Sequence, residues 1–321
     1  MTRRAQVGWI YFAVVICTLL LRVASALDVY SALNISDSDA FFSCVVQIAI
    51  FGFISIFGYF LGAKLNKNNA REAVSAFGVK KISFVGWLFI VPICVCAIVV
   101  STGISFVWQM ALKMVGFTHI PSSTDYSSIG ILFKELALVA LLPGIFEEVA
   151  HRGLIYAGYK QCGWKYVLIS GVFFSLMHQN IVQTGYTFFF GVTLALITYY
   201  TGSIWGGILI HFANNAWAVF QGYVSQNGGV FNFINVISDW LYGSAPGMLV
   251  ALLAVIVCAA LLVVCMYALR KQAVKKEIIS PTPFERAVDG TLPIYKDIPF
   301  ILTAIVGVCA TTFSFVWGMA R

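Results

Sequence analysis

The sequence predicts an all-α polytopic membrane bundle of about nine transmembrane helices. Two properties of the whole chain carry that expectation. Of 321 residues, 60% are apolar and only 10% are charged. A soluble domain carries about a quarter charged residues, so this chain has too few polar side chains to cover a water-facing surface. The apolar residues also gather into runs of about 20, enough to cross a hydrocarbon core at 1.5 Å per residue. One or two soluble domains are therefore excluded. So is a disordered chain, which requires low hydrophobicity.

The first span is Val7–Leu27, weakened by Arg22. With Arg3, Arg4, an apolar centre and Ala24-Ser25-Ala26 before Asp28, it also has the form of a signal peptide, whose removal would leave eight helices. Retention is the expectation, because bacterial multi-pass proteins usually keep their first helix. Ala40–Ala63 is the second span. Ile82–Leu112 is the third and is long enough to tilt or to kink at Pro92. Ile129–Phe146 begins a fourth helix that runs on into polar sequence. A fifth covers Tyr166 to about Asn180, a sixth Tyr186–Tyr200 and a seventh Ile204–Tyr223. Pro246–Leu269 and Ile298–Ala320 complete the set, the ninth as an addition to the core.

Charge placement tests this count. With the N-terminus inside, sixteen Lys and Arg fall in cytoplasmic segments, and only Arg22, Lys113, Lys134 and Arg321 fall on the other side. Such an excess marks the cytoplasmic face. The expected location is a bacterial cell membrane, multi-pass, with a cytoplasmic N-terminus. The net charge of +7 is thus a topology signal, and no nucleic-acid partner is implied. The chain divides into residues 1–128 with helices one to three, 129–223 with helices four to seven, and 224–321 with helices eight and nine. The last part holds the loop 270–297, the only long polar stretch, expected to be a solvated connection near anionic headgroups. Seven of eight cysteines lie in apolar stretches and behave as small hydrophobes.

Ionisable groups inside a span are costly and mark function by default. Here they concentrate between residues 147 and 211, in LLPGIFEEVAHRG, FFSLMHQN and GGILIHFANNA. Glu147 and Glu148 are adjacent, and two carboxylates in a low-dielectric site cannot both ionise cheaply. A carboxylate so poised suits a general base. Arg152 lies four residues after Glu148 and shares its helical face. His178 closes an apolar helix. His211 and Asn215, at i and i+4, put an imidazole and an amide on one face, the donor set that a developing oxyanion needs. Each group alone also has a plainer explanation, as a helix end or as helix–helix glue; one shared polar cavity is the simplest partner for all three. HExxH, GxSxG and Walker signatures are absent from the sequence, so a water-activating mechanism is more natural than a covalent one.

The motifs Glu147-Glu148-Val149-Ala150-His151-Arg152 (EExxxR), Phe174-Ser175-Leu176-Met177-His178 (FxxxH) and His211-Phe212-Ala213-Asn214-Asn215 (HxxxN) stand in an order and spacing that resemble the CPBP (Abi) family. That family of intramembrane proteases includes the type II CAAX prenyl endopeptidases. The resemblance covers about residues 129–223. It implies hydrolysis of a peptide bond in a membrane-tethered, lipidated or small precursor substrate, within a cavity of helices four to seven open to the cytoplasm. Glu147 and His178 would bind and activate water, His211 and Asn215 would stabilise the oxyanion, and Glu148 and Arg152 would support the site. No cofactor is required by this scheme, although Glu147, His178 and His211 could also supply three Zn²⁺ ligands. The residues leave the metal-free and metal mechanisms open, with a lean to the metal-free one from the His211–Asn215 pairing. His151 departs from the family's usual aromatic residue and is expected to be an interfacial histidine near Arg152.

Two other functions use the same residue types. A proton-coupled transporter would employ intramembrane Glu and His, but transporters commonly show internal repeats and none is visible. A non-catalytic scaffold or peptide-immunity protein would not need complete motifs. One geometric tension remains in the predicted spans. Glu147 lies near the end of helix four, whereas His178 is twelve residues past Tyr166, roughly 18 Å of helix. Either helix five starts outside the bilayer or helix four continues past Arg152.

Overall fold

The computed structural model describes residues 2–35, 37–67, 69–118, 124–280 and 296–320, and every regular element among them is helical. Seven helices are long and apolar enough to cross a membrane: α1 (Arg3–Ala26), α2 (Ser38–Leu65), α3 (Phe84–Met114), α4 (Ile129–Cys162), α6 (Ile181–Thr201), α8 (Ala245–Lys275) and α9 (Ile298–Met319). Two more stand between them in the chain, α5 (Trp164–Met177) and α7 (Trp205–Asn227). The nine expected spans thus reduce to seven by length and apolarity. Helix α5 has only 14 residues, and α7 carries His211, Asn214, Asn215 and Gln221 along its length.

Most helix starts are written in the sequence as caps. Thr2, Asp37, Ser83, Ser128, Asn180, Ser244 and Asp297 each accept a hydrogen bond from a backbone N–H in the first turn that follows, satisfying donors that have no intrahelical partner. Pro92 does not break α3, which runs through it for 31 residues. Among the described residues, the chain widens to π-type geometry in only two of the long helices, at Val45–Ile54 of α2 and at Leu136–Leu141 and Val149–Leu154 of α4. Such turns recur at functional sites; the first contains Gln47, and the two of α4 stand either side of Glu147 and Glu148.

Helices α4 to α7 form the middle of the bundle, with α1, α2 and α9 on one side and α3 and α8 on the other. Tyr11, Tyr59, Leu154, Tyr159, Tyr166 and Phe173 fill the first interface, and Ile90, Ala97, Phe190, Leu194 and Leu269 the second. Gly191 lets α6 approach α5 closely: a Cβ there would lie 3.0 Å from Gly171 Cα. On the outside, Leu253, Ile256, Val257, Val263 and Val264 of α8 are all more than half exposed. So continuous an apolar face belongs against lipid.

The polar loop departs from expectation at both ends. Helix α8 continues to Lys275, taking Arg270 and Lys271 into the helix. Asp297 is buried rather than solvated: its Oδ2 accepts from Arg4 Nε at 2.6 Å and from Tyr159 Oη at 3.1 Å, tying α9 to α1 and α4. Residues 281–295 of that loop lie outside the described residues.

His151 is also corrected. It is fully buried, not interfacial. Its Nδ1–H donates to the Glu147 carbonyl at 2.7 Å, so Nε2 is left as an acceptor, which takes the Tyr11 hydroxyl at 2.7 Å. This ties α1 to the helix that carries the carboxylates. Tyr11→Phe removes that donor from a buried acceptor, and is expected to destabilise the protein by about 1–3 kcal/mol. Thermal unfolding in detergent checks this; an unchanged transition would mean that the tie carries no stability.

Candidate active site

The depth of the carboxylates follows from the length of α4. Glu147 lies fifteen residues before Cys162, roughly 22 Å of helix, and His178 lies fourteen after Trp164, roughly 21 Å. The two helices form a hairpin about Gly163, so the two side chains reach a common level. Continuation of helix four past Arg152 therefore removes the tension in the predicted spans.

Adjacent positions on α4 point Glu147 and Glu148 in different directions, and the two carboxylates meet different partners. Glu148 is fully buried. Its Oε1 accepts from Arg152 Nη1 at 2.6 Å and from His211 Nδ1 at 2.9 Å. Arg152 is equally buried, donates through Nη2 to the Gly191 carbonyl at 3.0 Å and lies over the Phe174 ring at 4.5 Å. A buried charge needs such a set of partners to be tolerated. Gly207 of α7 is where Glu148 fits: a Cβ there would come within 2.5 Å of Glu148 Oε2.

Glu147 is held on one oxygen only. Gln47 Nε2 donates to Oε1 at 2.9 Å, while Oε2 has no hydrogen-bond partner among the described residues and stands 3.9 Å from His211 Nε2. His178 donates Nδ1–H to the Phe174 carbonyl at 2.7 Å, which leaves Nε2 as an acceptor. Asn215 donates one amide hydrogen to the Val139 carbonyl at 3.0 Å, and Asn214 donates to its Oδ1 at 3.2 Å. Between His178 and α6 the chain breaks sharply. Gln179 takes a left-handed conformation (φ 51°), a cost of about 1–2 kcal/mol for a residue with a side chain, and Asn180 caps the next helix.

Glu147, His178, His211 and Asn215 all line one cavity of about 700 Å³. Glu148 and Arg152 lie behind its wall. Among the described residues, no three His, Cys, Asp or Glu side chains converge as ligands for a metal ion. Gln47, Asn214, Gln183 and Tyr186 do not stand out in the sequence, yet Gln47 bonds Glu147 and the other three line the cavity. The available signal is polarity: Gln47 interrupts CVVQIAIFGF, an otherwise apolar run. From Glu147 the cavity lining runs to Leu138, Gln109 and Gln221, toward the end of the bundle away from the Lys- and Arg-rich connections.

Residues 130–217 match the Rce1-like family model, described as type II CAAX prenyl endopeptidase Rce1-like. The matched segment contains all three motifs and agrees with the resemblance they carry. No curated protein and no solved structure matches the chain.

Proposed function

From an Rce1-like domain over residues 130–217 as the premise, we propose that this integral membrane protein is an intramembrane endopeptidase acting on a membrane-tethered peptide through a water activated by Glu147. The observation that carries the reading is the asymmetric holding of Glu147. Gln47 occupies Oε1 and leaves Oε2 without a hydrogen-bond partner, 3.9 Å from His211 Nε2, on a residue that lines the same cavity as His178. A base must have an oxygen free of other donors within reach of the proton it removes.

In this scheme Glu147 Oε2 takes a proton from water, and His178 Nε2 accepts the other O–H and orients it. The oxygen attacks the peptide carbonyl carbon. The oxyanion that forms receives the free amide hydrogen of Asn215 and the Nε2–H of His211, donors aimed at charge that develops only in the transition state. Since His211 Nδ1 already faces Glu148, donation from Nε2 requires an imidazolium. The proton on Glu147 passes to the leaving amine as the C–N bond breaks. Glu147, His178 and His211 suit a metal in donor type, but their side chains do not converge on one ion, and no step is routed through it.

The test is cleavage of a library of membrane-tethered peptides by purified protein in nanodiscs. Asn215→Ala is expected to lower kcat by about 10²–10³-fold, with KM nearly unchanged. Wild-type activity is expected to survive a zinc chelator. Loss on chelation with recovery on zinc would replace the metal-free scheme, and unaltered turnover in Asn215→Ala would remove the oxyanion assignment.

A further inference from the structure

We infer that the cavity admits its substrate from the membrane face opposite the basic loops, the extracytoplasmic face, so that the peptide it takes is one presented on that side with an apolar anchor in the outer leaflet. What is cleaved rests on the protease reading above; the side of entry rests on charge and shape alone.

The two ends of the bundle differ in charge. The start of α1, the α2–α3 connection, the α4–α5 turn and the end of α8 hold nearly all the described Lys and Arg. The other end carries Asp28, Asp37, Asp39, Asp125, Glu135 and Asp239 against Arg22, Lys113 and Lys134. The positive-inside rule makes the basic end cytoplasmic.

The helices that line the cavity carry it toward the acidic end. Ser43 lies near the start of α2, Gln109 near the end of α3, Leu138 early in α4, Gln183 at the start of α6 and Gln221 late in α7. Toward the basic end the floor is closed. Below Glu147 and His211 come the Glu148–Arg152 pair and then Tyr156, Tyr166, Leu194 and Ile197, all buried. A peptide chain has no passage through that packing.

The rim shows what arrives there. Among the described residues, Glu147 is the only Asp, Glu, Lys or Arg lining the cavity, so the segment around the scissile bond is uncharged. Beside the mouth, Phe233–Gly243 is amphipathic and leaves Phe233, Val236, Ile237 and Trp240 exposed, the form of a helix lying in the interface of one leaflet. Its Tyr242 lines both the polar cavity and an adjoining apolar chamber of about 1170 Å³ between α3 and α8. Phe106, Trp217 and Gln221 are shared by the two spaces in the same way. A peptide whose uncharged end enters the first and whose apolar anchor enters the second satisfies both. A lipidated C-terminus held on the cytoplasmic face does not reach this mouth.

Labelling of introduced cysteines with a membrane-impermeant maleimide tests the side of entry without relying on cleavage. Gln109→Cys and Gln221→Cys report on the mouth, Lys165→Cys reports on the basic end, and wild type gives the background of the native cysteines. In right-side-out vesicles the two mouth variants are expected to label severalfold more strongly than in inverted ones, with Lys165→Cys reversed. Labelling of the mouth variants only in inverted vesicles, or from neither face, would overturn the inference. Cleavage of a tethered peptide is then measured on each face. Outward-facing labelling with no cleavage anywhere leaves the side of entry standing and counts against the protease reading. Cleavage confined to the cytoplasmic face overturns the inference and leaves the protease reading intact.

Discussion

Glu147→Gln is expected to lower peptide cleavage by at least about 100-fold, the lower range for loss of a positioned general base, while the protein still inserts and unfolds at nearly the wild-type temperature. The substitution keeps the shape, and the introduced amide oxygen can still accept from Gln47, so the contact between α2 and α4 survives. Only the capacity to hold a proton at the unpartnered oxygen is lost. A single-turnover assay beside a melting curve separates the two effects. Turnover within a few-fold of wild type would sink the assignment of Glu147 as base.

Arg152→Met is expected to act the other way, through stability first. The guanidinium is fully buried and is bonded to Glu148 and to the Gly191 carbonyl. Its removal strands the Glu148 carboxylate, a loss of about 3–5 kcal/mol by analogy with broken buried pairs. Adding Glu148→Gln in the same chain removes the stranded charge, so the double variant should recover part of that loss and remain inactive. Arg152→Lys should rescue poorly, because one ammonium cannot replace a planar fork that reaches two acceptors. Denaturant unfolding in detergent checks the order of the four proteins. A double variant less stable than Arg152→Met alone would mean that Glu148 is not the group left unpaired.

Much of this architecture is legible in residue pattern. The apolar runs locate most of the helices to within a few residues, although α4 runs to Cys162 where the apolar run ends at Phe146, and the three motifs find four side chains that line one cavity. The misses have physical causes. Periodicity carries no mark of π-type widening, so the turns beside Glu147 are invisible in it. Phe174 to His178 continues the apolar face of α5 almost to Asn180, which hides how early that helix stops. Gln47 looks like a stray amide because its partner is a hundred residues away in the chain. Asp297 falls in with a solvated loop because its partners, Arg4 and Tyr159, belong to other helices. The direction of the cavity is a property of several helices together, and no single one displays it.

The brevity of α5 has a chemical consequence. Hydrolysis has two reactants, and the second is water, which is scarce in hydrocarbon. A helix of 14 residues rises roughly 21 Å, well short of the ~30 Å thickness of a bilayer core. The volume above His178 is lined by Ser, Thr, Asn and Gln side chains among Phe, Leu, Val and Trp, so polar groups that can hydrogen-bond water stand where a longer helix would have packed. In the proposed hydrolysis, such a lining would bring the co-reactant to Glu147 without a passage through acyl chains, leaving placement of the peptide as the step that the protein has to control.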